Sequence, residues 1–241
     1  MPTLLLFGDS IAVGLGVRDR RYAEIVASNI GFSLKDLAVS GATVEDSLAL
    51  YESSSRGGDI AIIAHGVTEP IWRPSPRSLS LFPARWRRRG WMDPRAYYSS
   101  RWRKRVLERA ESAIRWRLKN LVLKVPGAKE QLMTAADYES SLTTLINHLK
   151  SDGAVVILLG PPPIGEVYFP GSSSSQDEFA ERASRLAAIF IPLRETLLEW
   201  DDFLLDRFHP NDAGHRRIAA TITARIVSEG ILTPNIGDPH A

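Results

Sequence analysis

The sequence predicts an α/β fold built on a parallel β-sheet with helices on both faces. Three short runs rich in apolar residues, at 4–7, 59–64 and 154–159, are each long enough for a buried strand, and a glycine follows each of them within two residues. Segments with apolar residues at helical spacing separate these runs, and strands that alternate with helices are typical of parallel sheets. A chain of this length commonly forms one α/β domain, so a single domain over residues 1–241 is expected.

The amino-acid composition limits the kinds of protein and of functional site that this chain can form. The 44% hydrophobic and 24% charged residues are typical of a globular protein. The chain has no cysteine, which excludes disulfides, thiolate metal ligands and a cysteine nucleophile. No secretory signal is expected, because the apolar run at 4–7 is too short for one, and no run of about 20 apolar residues occurs, so a cytoplasmic location is expected. No cofactor is predicted, and no spacing typical of metal ligands is visible.

The first half of the chain predicts three strands and two helices. The strands are expected at 4–7, 32–39 and 59–64. The first helix is expected at 19–30, with Asp19 as its N-terminal cap because an Asp side chain accepts from the first backbone N–H groups. A shorter helix is expected at 44–51.

The second half predicts one strand and three helices. The strand is expected at 154–159, and two of the helices at 134–151 and 211–228. Residues 171–177 are expected to be a flexible loop in which Ser175 or Asp177 caps the remaining helix. That helix is expected to run to about residue 190, where Pro192 ends it. The tail from residue 233 is expected to be loose.

Polar residues follow each of the first three predicted strands. Gly8-Asp9-Ser10 follows the first strand, Ser40-Gly41 the second, and His65-Gly66-Val67-Thr68-Glu69 the third. In open parallel sheets, ligands bind at the carboxyl ends of the strands. These residues are therefore expected to meet at one edge of the sheet and to form the functional site.

A serine hydroxyl at this edge needs a base, and the chain contains five histidines. His209 is the best candidate, because Asp206 lies three positions before it and can orient its ring while the other ring nitrogen faces a serine. The same segment also fits a helix start, with Pro210 in the first turn. His215 is more typical of a structural residue, and His148 of a surface residue.

Four segments, taken together, resemble the sequence blocks of the SGNH/GDSL hydrolase superfamily. They are Gly8-Asp9-Ser10-Ile11, Gly41 within LAVSGAT, Gly66 after the third strand, and DRFHPNDAGH at 206–215. Their order and spacing match over nearly the whole chain, apart from residues 72–127. The resemblance implies a flavodoxin-like three-layer α/β/α sandwich and ester hydrolysis through an acyl-enzyme.

The resemblance also implies a role for each matching residue. Ser10 corresponds to the nucleophile, His209 to the general base and Asp206 to the partner that orients the base. The backbone N–H groups of Ser10 and Gly41 correspond to two oxyanion donors, and Asp9 braces the loop. Glycine at 41 has a physical reason, because a side chain there would crowd a carbonyl group that must approach the backbone.

The third block departs from the family pattern Gly-x-Asn-Asp, whose asparagine amide is the third oxyanion donor. This chain reads Gly66-Val67-Thr68-Glu69. Loss of one such donor costs roughly 10²–10³ in rate. Thr68 is the expected replacement, with His65 as the alternative unless its ring packs against the sheet. Five residues near these blocks are predicted substrate contacts: Asp9, His65, Glu69, Trp72 and Arg73.

Residues 72–127 form a predicted insertion, either a lid or a binding subregion. Within 72–119, 15 Lys and Arg residues stand against three acidic residues, a net charge of +12, so the rest of the chain carries −10. Five of the six tryptophans also lie here, and 94–118 is predicted to be helical. Charge divided so unevenly usually marks a surface that binds an anion or a polymer.

Several interpretations of this insertion stay open. It fits a helical lid whose tryptophans pack on the core. Arginine and tryptophan also suit an acidic or neutral glycan, or an anionic membrane surface to which the protein binds peripherally. Nucleic acid is the least favoured ligand, because the insertion directly follows the 66–69 block and so borders the predicted active site.

Together these features predict a serine esterase that removes or transfers an acyl group, such as acetyl, on a carbohydrate or another small ester. Hydrolysis and transfer share the same acyl-enzyme, so the sequence does not separate them. The alternative is a catalytically weak binding module on the same fold, for an acidic glycan or an anionic membrane surface. In that case Thr68 would be a sign of lost chemistry.

Overall fold

A parallel β-sheet forms the centre of the protein. The computed structural model describes residues 1–54, 57–87, 102–165, 169–186, 189–198, 201–204 and 207–231. Seven strands lie in these ranges: β1 (Thr3–Gly8), β2 (Ser33–Asp36), β3 (Ile60–Ala64), β4 (Arg73–Pro74), β5 (Lys129–Glu130), β6 (Val155–Gly160) and β7 (Ile189–Pro192). Five of them form the sheet in the order β2-β1-β3-β6-β7, with every neighbouring pair parallel. The short strands β4 and β5 pair antiparallel with each other.

Helices cover both faces of this sheet. Within the described ranges they are α1 (Ser10–Val13), α2 (Tyr22–Ile30), α3 (Val44–Ser53), α4 (Pro76–Leu79), α5 (Trp102–Leu123), α6 (Ala135–Ser151), α7 (Ser173–Leu186), α8 (Leu193–Thr196) and α9 (Asp212–Ser228). A 3₁₀ turn lies at Ala84–Trp86. The predicted α/β architecture with a parallel sheet is therefore confirmed.

The two cores follow from the alternation of side chains along β1. Successive residues of a strand point to opposite faces of the sheet. Leu4 and Leu6 pack in one core with residues of α2 and α9, while Leu5 and Phe7 pack in the other with residues of α3, α6 and α7. All four side chains are fully buried. The unbroken apolar run of β1 therefore contributes side chains to the cores on both faces of the sheet. The result is three layers, with the sheet between two layers of helices.

The predicted start of α2 is wrong. The helix begins at Tyr22, and Arg21 rather than Asp19 occupies the cap position. The first helical N–H, that of Tyr22, donates to His215 Nδ1 at 3.1 Å, and Glu24 reaches back to the Arg21 N–H at 3.2 Å. A side chain from the far end of the chain thus does what a local cap was expected to do.

The segment before β7 also differs from the prediction. Residues 171–177 are not a loop throughout, because α7 already begins at Ser173. The buried Gln176 side chain fixes this turn by donating to the Pro162 carbonyl at 2.9 Å. The helix then ends at Leu186 instead of running to about residue 190, and Ile189–Pro192 forms the edge strand β7. Pro192 is compatible with this strand because it lies at the strand end on a sheet edge.

The predicted insertion, residues 72–127, contains a long helix that extends beyond its predicted end. Helix α5 reaches Leu123, beyond the predicted end at 118, while residues 88–101 and the tail from 232 lie outside the described residues. No helix within the described ranges is both long and apolar enough to cross a membrane.

Candidate active site

Ser10 is presented by a tight turn at the carboxyl end of β1. Gly8 has a φ of +155°, and a Cβ there would lie 2.6 Å from Ala12 Cβ and 2.7 Å from the Ala64 carbonyl oxygen. Only glycine allows the chain to leave the strand so close to β3. Asp9 then caps the single turn of α1 by accepting from the Ile11 N–H at 2.9 Å.

The structure brings Ser10 and His209 together across 199 residues of sequence. Ser10 Oγ lies 2.9 Å from His209 Nε2, and both residues are buried. The Phe208 ring meets the imidazole edge-on, with the ring centroids 4.6 Å apart. When Nε2 carries no proton it accepts from the serine hydroxyl, which is the arrangement that a general base requires.

His209 is held by the segment that leads into α9. Asn211 caps this helix by accepting from the Ala213 and Gly214 N–H groups at 2.8 and 3.0 Å. Its side-chain amide donates back to the carbonyls of Asp201 and Phe203 at 2.7 and 3.1 Å. One residue therefore fixes both the helix start and the preceding loop. Asp206, the predicted partner of His209, lies outside the described residues.

Gly41 lies in the loop after β2, which is fastened to the turn that carries Ser10. The Val39 N–H donates to the Gly8 carbonyl at 3.0 Å, and the Ala42 N–H donates to the Val39 carbonyl at 3.0 Å. Gly41 has a φ of +78°, and a Cβ there would meet no atom within 4 Å. Conformation, rather than crowding within the chain, is therefore what favours glycine at this position.

Thr68 is buried and forms a hydrogen bond with Asp9, the residue before Ser10. Its hydroxyl donates to Asp9 Oδ2 at 2.9 Å. Burial raises the pKa of the Asp9 carboxyl above its ordinary value, against the opposing effect of the bonds from Ile11 and Thr68. A threonine hydroxyl has a single hydrogen. The predicted role of Thr68 as third oxyanion donor therefore requires this hydrogen to be redirected, and that role stays a prediction.

His65 and Glu69, predicted as substrate contacts, form a buried cluster with Ser47. Asp9, also predicted as a substrate contact, is buried as well. His65 Nε2 lies 2.8 Å from Ser47 Oγ, and its Nδ1 lies 3.2 Å from Glu69 Oε1. All three residues of this cluster are at most 2% exposed, so the structure gives His65 and Glu69 positions within the protein interior. Sequence reasoning missed Ser47, since nothing in the segment 44–51 distinguishes it from an ordinary helical serine.

The insertion reaches the site through its two ends. Leu123 of α5 packs in one cluster with Ile11 and Val67, which flank Ser10 and Thr68. Arg73 donates to the Thr68 carbonyl at 2.5 Å, and the Trp72 N–H donates to Ser172 Oγ at 3.1 Å. The half-buried Trp72 and Arg73 thus lie directly beside the third loop of the site.

Basic side chains lie close to the contact between α5 and the loop that carries Thr68. Lys119, one turn before Leu123, is almost completely buried. Burial, together with the charges of Arg115 and Arg73, lowers the pKa of the Lys119 ammonium to about 8. Positive charge is therefore concentrated where α5 approaches the loop that carries Thr68.

The chain is similar to known proteins both in sequence and in structure. The model of the GDSL-like Lipase/Acylhydrolase family matches residues 6–217. A lipase/acylhydrolase from Enterococcus faecalis is structurally similar, with 19% identity and a TM-score of 0.59, over 97% of this chain and 98% of that chain. An acetylxylan esterase from Geobacillus stearothermophilus has 18% identity and a TM-score of 0.56, over 93% and 94% of the two chains.

A psychrotrophic esterase from Pseudoalteromonas sp. is similar as well, with 15% identity and a TM-score of 0.54, over 95% of this chain and 98% of that chain. At these identities the structural likenesses show the fold alone. A search of curated proteins found no match.

Proposed function

Because this chain belongs to the GDSL-like lipase/acylhydrolase family of ester hydrolases, we propose that it cleaves its substrate through an acyl-enzyme on Ser10. The observation that carries the proposal is the 2.9 Å contact between Ser10 Oγ and His209 Nε2. A buried serine beside an unprotonated imidazole is activated as a nucleophile, because the ring can take its proton as the new bond forms.

The proposed reaction has two steps. His209 takes the Ser10 proton while Oγ attacks the ester carbonyl, and the N–H groups of Ser10 and Gly41 stabilise the resulting oxyanion. The same imidazolium then protonates the leaving alcohol. In the second step His209 activates water, or a sugar hydroxyl, to release the acyl group from Ser10. Asp206 is proposed to orient the His209 ring throughout.

For the substrate, we propose an acyl group, such as acetyl, on a carbohydrate or another small ester. Trp72 supports this proposal, because it is half-buried beside the third loop and the Lys129 ammonium lies over its ring, 4.4 Å from the ring centroid. The contact holds a positive charge in place at the ring, which suits a glycan with acidic substituents. The similarity to an acetylxylan esterase makes acetylated xylan a reasonable first polymer to assay.

A fluorophosphonate probe tests the proposed nucleophile. The folded wild type should be labelled, and peptide mapping should find the probe on Ser10 rather than on the buried Ser47. Ser10→Ala should lose both labelling and ester turnover, while the surface variant Ser184→Ala should keep both. Labelling of Ser10→Ala at the wild-type level would reject the acyl-enzyme on Ser10.

A binding module with little turnover is the second candidate function. The hydrogen bond from Thr68 to Asp9 favours it, because this bond engages the hydroxyl expected to replace the family's asparagine amide. The two candidates differ in a simple assay. Turnover of p-nitrophenyl acetate that disappears in Ser10→Ala supports the enzyme, whereas glycan binding that survives in Ser10→Ala without turnover supports the module.

We also propose that α5 binds an anionic membrane surface. The helix exposes six large apolar side chains: Trp102, Val106, Leu107, Ile114, Leu118 and Leu121. Arg103 and Arg117 are exposed on the same helix. An exposed apolar stripe accompanied by basic residues suits a bilayer interface with anionic headgroups.

Vesicle flotation tests this surface. Binding should increase with the fraction of phosphatidylserine, and it should weaken in the double variant Arg103→Glu/Arg117→Glu. Equal binding to neutral vesicles, or none to either kind, would contradict the membrane proposal. If the protein binds an acidic glycan but no vesicles, the exposed face of α5 belongs to the substrate-binding site instead.

A further inference from the structure

The Glu69 carboxylate joins the two loops that frame the candidate active site. Its Oε1 accepts the Val44 N–H at 2.9 Å, and its Oε2 accepts the Gly66 N–H at 3.0 Å. Val44 is the first residue of α3 and lies three positions after Gly41. Gly66 lies two positions before Thr68. One side chain therefore bonds the backbone of both loops.

The imidazole of His65 lies between this carboxylate and Ser47. His65 Nδ1 lies 3.2 Å from Glu69 Oε1, and the other ring nitrogen of His65 lies 2.8 Å from Ser47 Oγ. Ser47 lies on α3, one turn after Val44, so the cluster contacts the helix at two successive turns. The start of α3 is thereby connected to the residues after β3 through both Val44 and Ser47.

The environment of Glu69 favours its charged form. Burial by itself raises the pKa of this carboxyl, but the contact with His65 and the backbone N–H bonds outweigh burial and leave the pKa below its ordinary value. Charge-assisted bonds of this kind are roughly twice as strong as neutral ones. Loss of the carboxylate would leave the buried N–H groups of Val44 and Gly66 without their acceptors.

We propose that Glu69 is a positioning residue that keeps the Gly41 N–H aimed at the oxyanion by locking the start of α3 to the loop after β3. This inference rests on the proposed acyl-enzyme mechanism. His65 and Ser47 act through Glu69, because both side chains lie in the protein interior against it or against each other. Loss of the Glu69 hydrogen bonds allows the loop of Gly41 to move, and small displacements of a catalytic donor lower the rate strongly.

The experiment compares kcat and KM for Glu69→Gln, Ser47→Ala and Glu139→Gln with p-nitrophenyl acetate. Glu69→Gln should lower kcat by about 10- to 100-fold while KM changes little, because the oxyanion is bound only in the transition state. Ser47→Ala should lower kcat less, and it serves as the milder variant if Glu69→Gln does not fold. Glu139→Gln, which alters a surface pair with Arg182, should behave like the wild type.

Hydrogen exchange gives a readout that does not depend on turnover. Amides between residues 39 and 47 should exchange faster in Glu69→Gln than in the wild type, while those of β1 and β3 stay protected. A folded Glu69→Gln with wild-type kcat and wild-type exchange would overturn the inference. If the wild type itself has no turnover and no Ser10 labelling, the mechanism fails instead, and hydrogen exchange then decides the locking role.

Discussion

His215 is completely buried at the start of α9, where its ring stacks on Tyr22 with the centroids 5.6 Å apart. Burial, with smaller effects of His209 and Arg21, lowers the pKa of this imidazole to about 4. Its Nδ1 accepts the Tyr22 N–H, so a proton on that nitrogen would also break the bond that caps α2. A single neutral ring thus joins the last helix to the first long one.

This residue predicts acid sensitivity of the fold. The unfolded chain takes up a proton near pH 6.5 and the folded chain only near pH 4, so the stabilisation is complete above about pH 6.5 and is lost as the pH falls. The loss reaches about 3 kcal/mol at most. Urea unfolding at pH 7 and pH 4.5 should show a larger loss for the wild type than for His215→Gln. Equal losses would contradict the assignment.

Thr68 offers a second prediction at the scale of one residue. Thr68→Val keeps the shape but removes the donor to Asp9, so the free energy of unfolding should fall by about 1–3 kcal/mol. If the hydroxyl also serves the oxyanion, kcat should fall by roughly 10² with little change in KM. Chemical denaturation and steady-state kinetics on the same preparation separate the two roles. Unchanged kcat would exclude the donor role.

At the scale of elements, the loop before α9 carries the histidine, and Asn211 organises that loop. The nearby Gly214 permits close packing, because a Cβ there would collide with the Asp202 carbonyl oxygen. The buried Asp202 carboxylate in turn accepts from Arg217 of α9 at 2.7 Å. Helix and loop therefore form one connected unit, and the position of His209 depends on it.

Two substitutions of Asn211 distinguish the helix cap from the loop anchor. Asn211→Ala removes both, and it should lower the free energy of unfolding by about 1–2 kcal/mol and reduce kcat. Asn211→Asp keeps the acceptor for α9 but places a carboxylate against the Asp201 and Phe203 carbonyls. It should retain helix stability and still lose kcat. Wild-type kcat in both variants would contradict a role of this loop in placing His209.

Elements differ in how well the sequence predicts them. Strands such as β1 and β6 are clear because a short unbroken apolar run that ends at a glycine is typical of a buried strand in an α/β chain. Strand β7 escapes prediction because it is four residues long and closely follows a helical pattern. The cap of α2 is not predictable locally, because His215, 193 residues away, supplies the acceptor. The Glu69 cluster is equally hidden, since its contacts with α3 join residues that are 18 and 25 positions apart in sequence.

At the scale of the whole molecule, the chain separates its charge. The segment 72–119 carries +12 and the remainder −10, and α5 brings part of that positive charge to the loop of Thr68. Fields of this kind attract oppositely charged ligands and are screened by salt over about 10 Å at 0.1 M. The net charge of the whole protein, +2, hides this asymmetry.

Salt should therefore act selectively on turnover. For an ester that carries a carboxylate, KM should rise severalfold as the ionic strength increases from about 0.05 to 0.5 M. For a neutral ester of similar size it should change little. Steady-state kinetics with the two matched esters provides the measurement, and parallel changes for both would exclude electrostatic attraction by the insertion.

The pairing of Ser10 with His209 also sets an order of events during synthesis. Ser10 leaves the ribosome early, with β1, but His209, its proposed base, follows 199 residues later. At roughly 5–20 residues per second, this interval lasts about 10–40 s. In the proposed mechanism, a nascent chain carries an unactivated hydroxyl until α9 docks beside α2, so an incomplete polypeptide is expected to escape acylation by esters that it meets before its synthesis ends.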